Sequence, residues 1–270
     1  MQHYSGSTKE GTYYSYLSKS DAQENVLIFI HGVGMNLDVW NQQSKYFSRD
    51  FISVSYDFIG HGRSAMIKQN VTLEDYIEQL YELTSHLNIN RFSLIGHSMG
   101  SVIGVAFALK YPKMVSSIVA LNMVFNRQQE QRYIVLNRAE EVLSNNKVTN
   151  IEKTLNRWFK GKTSKTELES IEKIRKWLTK LQPIAYGQAY KIFALSDKIF
   201  INSLSKLEMP VMYLTGDNDL NSTPQMSIDM ASITPKGIAS SIKDEAHMMA
   251  YIAAEKVNPV IRKYLIGLTR

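Results

Sequence analysis

The chain has 270 residues, 44% hydrophobic and 21% charged, with a formal net charge of +6 and no cysteine. That length allows one large α/β domain or a core with a small insertion, and the composition is that of an ordinary globular protein. Without cysteine there can be no disulfide, thiolate metal site or cysteine nucleophile, which is consistent with a cytoplasmic location. The apolar runs are short of the ~20 residues a membrane span needs, and the first residues lack the basic and apolar regions of a secretory signal. The charge is localised: residues 126–182 carry thirteen Lys/Arg against seven Asp/Glu, and the rest of the chain has eighteen of each. A basic segment of this kind either attracts anions or is a solvated helical face.

In chain order, residues 13–17 read as an edge strand, and 26–30 and 52–56 as strands buried on both faces. Leu73, Ile77, Leu80, Tyr81, Thr84 and Leu87 recur at helical spacing, with Thr72 and Asp75 as start signals. Residues 92–95 and 117–121 are buried strands around an apolar helix, 102–109. Regular alternation stops between about 125 and 207, where helical patterns cover 132–143, 151–159, 168–181 and 184–195, broken by Gly161 and Pro183. That stretch is too long for a connection and predicts a helical insertion. A strand follows at 211–214, then a helix start at Thr223-Pro224, a late strand at 237–242 and a last helix near 252–268.

Gly96-His97-Ser98-Met99-Gly100 lies between the strand 92–95 and the helix that follows. A serine on a sharp strand-to-helix turn is pushed above the sheet, and the helix N-terminus supplies backbone donors where negative charge develops. A hydroxyl needs a base to become a nucleophile, and in this arrangement the partners follow in the order serine, acid, histidine. Of six histidines only His247 comes after Ser98. The acid lies in Thr215-Gly216-Asp217-Asn218-Asp219, where Asp219 is preferred and Asp217 is the alternative. All these positions fall in loops beyond strand C-termini, where ligands bind in α/β sheets. His31-Gly32-Val33-Gly34 follows the strand 26–30, so that the Val33 N–H can join that of Met99 as an oxyanion hole, with His31 and Gly34 beside the substrate. Asp57-Phe58-Ile59-Gly60-His61-Gly62-Arg63-Ser64 reads as a structural turn. His97 reads as packing, and His3 and His86 as surface residues.

These motifs together resemble the α/β-hydrolase superfamily: His31-Gly32-x-Gly34, Asp57-x-x-Gly60-x-Gly62-x-Ser64, Gly96-x-Ser98-x-Gly100, Gly216-x-x-Asp219 and Ala246-His247 stand in its order. The resemblance implies an α/β fold with an eight-stranded, mostly parallel sheet and flanking helices. It places the core at 1–124 and 208–270 and a helical cap at 125–207. It favours Asp219, third after the glycine, as the acid. Within the superfamily the chain looks most like small serine esterases, 3-oxoadipate enol-lactonases and carbon–carbon bond hydrolases of aromatic-ring breakdown. It departs from the last in having Met35-Asn36 after Gly34 in place of a proline, and from many enol-lactonases in having Ser101 after Gly100 in place of a second glycine. Serine at the turn separates it from the haloalkane dehalogenases and epoxide hydrolases, which carry aspartate there.

The expected chemistry is hydrolysis of an ester or lactone of a small, carboxylated substrate by Ser98, His247 and Asp219. Carbon–carbon hydrolysis, a lyase or cofactor-free oxygen reaction, and a slow-turnover ligand receptor are the alternatives. Arg127, Trp158 and Tyr190 are candidate substrate contacts in the insertion, and Arg132, Arg175, Trp177, Tyr186 and Phe193 are also available there. For any one of them the alternative is packing or solvation. No metal or organic cofactor is expected, since neither a ligand cluster nor a phosphate-cradling loop occurs. The expected partner is a small molecule, not nucleic acid, because basic and aromatic residues do not interleave, and not a membrane. A homodimer is compatible with the sequence.

Overall fold

The computed structural model describes residues 2–18, 25–66 and 68–268. Val26-Leu27-Ile28-Phe29-Ile30 is apolar throughout, and no residue in it is more than 5% exposed. A strand dry on both faces requires helices above and below it. At about 1.5–3 kcal/mol for each large apolar side chain removed from water, such strands are where the core is built.

Eight strands form one sheet: β1 (Gln2–Ser7), β2 (Tyr13–Ser18), β3 (Val26–Ile30), β4 (Ile52–Tyr56), β5 (Phe92–His97), β6 (Val115–Leu121), β7 (Val211–Gly216) and β8 (Gly237–Ile242). Their order is β1-β2-β4-β3-β5-β6-β7-β8. Only β1 and β2 run antiparallel to their neighbours. The expected eight-stranded, mostly parallel sheet is therefore what the chain forms.

One expectation fails at its edge. Residues 13–17 are not an outer strand, because β1 pairs along the whole of β2, from Gln2 against Ser18 to Ser7 against Tyr13. The sequence of β1 is polar and mostly exposed, so it carries no alternation to read. It is held by main-chain pairing and by the Tyr4 ring, which stacks on Tyr16 at 4.5 Å.

The described helices are α1 (Asn41–Phe47), α2 (Leu73–His86), α3 (Met99–Lys110), α4 (Gln129–Asn145), α5 (Ile151–Trp158), α6 (Lys165–Thr179), α7 (Pro183–Ser196), α8 (Pro224–Ile233), α9 (Met249–Ile252) and α10 (Ala254–Gly267). The predicted start of α2 is present as a reciprocal cap. Thr72 Oγ1 accepts from the Asp75 N–H, and Asp75 Oδ2 accepts from the Thr72 N–H at 2.7 Å. Helices α4 to α7 all lie between β6 and β7, as the loss of strand patterning implies. Asp197, fully buried after α7, ties the two ends of this insertion together: it accepts from the Arg127 N–H at 2.7 Å and pairs with Arg132 at 2.9 Å.

The close packing that shapes the sheet's C-terminal edge occurs at Gly100. A Cβ there would overlap the carbonyl of Ile30, and one at Gly96 would overlap that of Gly100. Four residues further along α3, a Cβ at Gly104 would meet nothing closer than 3.7 Å. Gly100→Ala is therefore expected to cost more than about 3 kcal/mol, whereas Gly104→Ala should gain up to about 1 kcal/mol from helix propensity. Urea denaturation of the two variants checks both signs.

Candidate active site

Strand β5 runs directly into α3 through Ser98, whose backbone sits at φ 54° and ψ −113°. A non-glycine residue is held in this region only when its surroundings over-determine it. Here they do. The Ser98 N–H donates to the Leu121 carbonyl at 2.8 Å. The Ser101 hydroxyl bridges the carbonyls of Gly96 and Leu121, at 2.8 and 2.9 Å. The serine that stands where many enol-lactonases have a second glycine thus fastens the turn to β6.

His247 and Asp219 are brought together from the loops after β8 and β7. Nδ1 of His247 donates to Asp219 Oδ2 at 2.8 Å, and the aspartate is 2% exposed. The same Oδ2 accepts from Asn122 Nδ2 at 2.8 Å, while Oδ1 accepts from the N–H groups of Asn221 and Ser222. Burial alone would raise this carboxyl. Electrostatic attraction to His247 and the bonds from His247, Asn122 and Asn221 outweigh it and hold the group below the usual carboxylate value. Asp217 does different work: its Oδ1 accepts from the Asp244 N–H at 2.7 Å and stitches the acid loop to the histidine loop. Asn122 was not singled out from sequence. Its only signal there is its place at the end of a buried strand.

A cavity of about 160 Å³ opens over this edge of the sheet. Gly32, Val33, Ser98 and His247 line it from the core, and Arg138, Arg157, Trp158 and Tyr190 from the insertion. The N–H groups of Val33 and Met99 donate to no other described group, which leaves them free to serve an oxygen of a bound molecule. Ser98 and His247 share the cavity without a hydrogen bond between them, a contact that commonly tightens only around substrate. The Trp158 ring stacks on His247, with centroids 5.8 Å apart.

This site lies within a chain whose residues 25–253 match the family described as alpha/beta hydrolase fold. The chain belongs to the α/β-hydrolase family. It is 36% identical over 241 residues to an (E)-2-((N-methylformamido)methylene)succinate hydrolase of Acinetobacter baylyi, covering 88% of this chain and 89% of that one. A 3-oxoadipate enol-lactonase of the same organism is 26% identical over 76% of this chain and 75% of its own. Among solved structures, an enol-lactonase from Burkholderia xenovorans superposes with a TM-score of 0.88 at 20% identity, covering 97% of this chain and 99% of that one. The family match and the relatives named as hydrolases make the chain a hydrolase in class. No described helix is long and apolar enough to cross a membrane, and no described group of three or more His, Asp or Glu residues could hold a metal ion.

Several residues expected at the substrate lie elsewhere in this α/β-hydrolase. His31 is fully buried outside the cavity. Its Nδ1–H donates to the Gly32 carbonyl at 2.8 Å, and its Nε2 accepts from the Phe58 N–H at 3.1 Å. It joins the loops after β3 and β4 instead of facing a ligand. Gly34 turns away too, at φ 80°, and packs against Leu178 and Tyr186. Arg127 does line the cavity, but its guanidinium donates to the Phe193 carbonyl at 2.7 Å and lies 3.6 Å from Asp197. Arg132 is committed to Asp197, and Arg175 to Glu152 and Glu172. The cavity's unpaired cations are Arg138 and Arg157, which have no acidic partner among the described residues; the Arg157 Nε is buried without one. No carboxylate lines the cavity. His97, read as packing, also contributes to the site: its Nε2–H donates to the His247 carbonyl at 2.8 Å.

Three buried histidines are kept neutral. Burial pushes His97 down to about 3 and His61 to about 4, and holds His31 well below its usual value. Unfolded, each binds a proton near pH 6.5, so below that point each lowers stability by up to about 1.4 kcal/mol per pH unit. Asp57 opposes them. Burial raises its carboxyl to about 6, so between about pH 4 and 6 the folded form keeps a proton the unfolded form has released. Glu82, half-buried and raised to about 7 by burial and by its neighbour Glu10, opposes them as well, though water screens it more than the buried groups. Three fully buried imidazoles against these two carboxyls still leave a net loss. Urea denaturation at pH 7 and pH 5 should differ by at least about 2 kcal/mol; equal stability would contradict the neutral imidazoles.

Proposed function

We propose that the chain is a serine hydrolase that cleaves an ester, lactone or amide of a small carboxylated compound through an acyl-enzyme. The observation that carries this reading is the 2.8 Å bond from His247 to a buried, ionised Asp219, in a cavity shared with Ser98 on its strained turn. With Nδ1–H held by Asp219, His247 presents a bare Nε2 as base. Ser98 Oγ attacks the carbonyl carbon as its proton passes to His247, and the N–H groups of Val33 and Met99 receive the oxyanion. His247 then protonates the leaving group, and a water deprotonated by the same nitrogen releases the acid. In this reading residues 125–207 are a cap over a core formed by 1–124 and 208–270.

The carboxylated substrate class is supported by charge. Arg138 and Arg157 face a cavity that no carboxylate lines, and a guanidinium pairs with carboxylates in a fixed fork geometry. The relative named for a formamido-methylene succinate supports the same class, and adds an amide to the ester and lactone that the motifs suggest.

Labelling with a fluorophosphonate followed by peptide mass spectrometry should place the adduct on Ser98. Ser98→Ala should take no label and lose several orders of magnitude in kcat, and Asp219→Asn should lose about 10³–10⁴-fold. Near wild-type turnover by Ser98→Ala would end the proposal. For the substrate class, replacing Arg138 and Arg157 together by Met should lower kcat/KM for a carboxylated ester by about 10–100-fold, as expected for lost charged hydrogen bonds, while a neutral ester of equal size changes little. Equal losses on both esters would exclude an anion-selective site.

A further inference from the structure

The insertion does more than roof the cavity. Glu245, two residues before His247, has a carboxylate that is fully buried, and its two oxygens are met from opposite sides. Oε1 lies 2.5 Å from Lys256 Nζ on α10, a core helix. Oε2 lies 2.7 Å from Lys162 Nζ, which belongs to the insertion. That second contact is an ion pair without hydrogen-bond alignment, and Oε2 has no hydrogen-bond partner. Lys162 reaches it because Gly161, at φ 78°, turns the chain back after α5, letting the Lys162 N–H donate to the Phe159 carbonyl at 3.0 Å. Glu167 of α6 is also near Lys162 Nζ, at 3.5 Å.

A buried carboxylate oxygen left without a cation is costly, so lifting residues 158–162 off the core would expose that cost at Glu245. The main chain of Glu245 is fixed. Its carbonyl accepts from the Asn218 N–H at 2.9 Å, and it packs on Gly216 so closely that a Cβ there would overlap its main chain. Those contacts lie in the loop of Asp219. The same stretch of the insertion grips the histidine directly: the Trp158 carbonyl accepts from the Met248 N–H at 3.3 Å, and the Trp158 ring stacks on His247. The main chain at His247 is therefore held on one side by His97 from the core and on the other by Trp158 from the insertion.

We infer that Lys162 is a positioning residue: through its ion pair with Glu245 it latches the end of α5 onto the loop of His247 and so fixes the base against Ser98. This rests on the reading of His247 as the base.

The test uses the full chain with Lys162→Met, Lys162→Arg, Glu245→Gln and the double variant Lys162→Met/Glu245→Gln. The readouts are the second-order rate of fluorophosphonate labelling at Ser98 and amide hydrogen exchange in the peptide containing Met248. Lys162→Met should label at least about tenfold more slowly and exchange faster at Met248. Lys162→Arg should restore labelling to within about threefold, a rescue that a merely structural lysine does not predict. Glu245→Gln gives up the pair with Lys256 as well and should be at least as slow as Lys162→Met, and the double variant should be no slower than Glu245→Gln alone, since the Lys162 contact is already lost there. Wild-type labelling by Lys162→Met, failure of the arginine to restore it, or additive losses in the double variant would each overturn the latch. If Ser98 of the unsubstituted protein takes no label, the serine-hydrolase reading fails by itself, and exchange at Met248 then decides the latch: faster in Lys162→Met sustains it, unchanged refutes it.

Discussion

Backbone packed on backbone at the crossing of β3, β5 and α3 is the constraint from which the site follows. No side chain fits between Gly100 and the Ile30 carbonyl, or between Gly96 and Gly100. The chain can therefore pass from strand to helix in only one tight turn, and the residue at its apex must take a left-handed backbone. That residue is Ser98. The strain is localised, and it sits where hydrogen bonds from Ser101 and the Ser98 N–H to β6 can offset it.

A second constraint is electrostatic. The loops after β7 and β8 carry acids at 217, 219, 244 and 245, and each of three carboxylates has a separate task. Asp219 orients an imidazole, Asp217 accepts a main-chain N–H of the neighbouring loop, and Glu245 takes two lysines. Carboxylates this close are tolerated because each is matched to its own donors. The division of labour also explains why neighbouring acids are not interchangeable in a region that looks redundant as a string of letters.

Much of this was legible in the sequence, for identifiable reasons. Strands such as Val26–Ile30 are buried on both faces and read as unbroken apolar runs, and the loss of that pattern after residue 125 marks the insertion. Ser98, Asp219 and His247 were legible because loops at one edge of a parallel sheet converge whatever their separation in sequence. What stayed hidden depends on contacts, not on pattern. Strand β1 pairs through its main chain and has almost no apolar face. His31 and Arg127 have the chemistry of ligand contacts, but burial against Phe58 and Asp197 consumes it. Arg138 and Arg157 look like any other cations in a basic helix until their lack of acidic partners is seen. Asn122 and Lys162 matter only through Asp219 and Glu245, which are far away in sequence.

The stacking of Trp158 on His247 also gives the protein an optical signal of its own. The emission of an indole depends on what its ring touches, and the chain has only three tryptophans. Of the others, Trp40 is buried against Phe29, and Trp177 packs beside Tyr251 and Lys173. With Trp40 and Trp177 replaced by Phe, the remaining emission comes from the ring that lies on His247, and the seating of the roof above the site can then be watched in solution without attaching a dye.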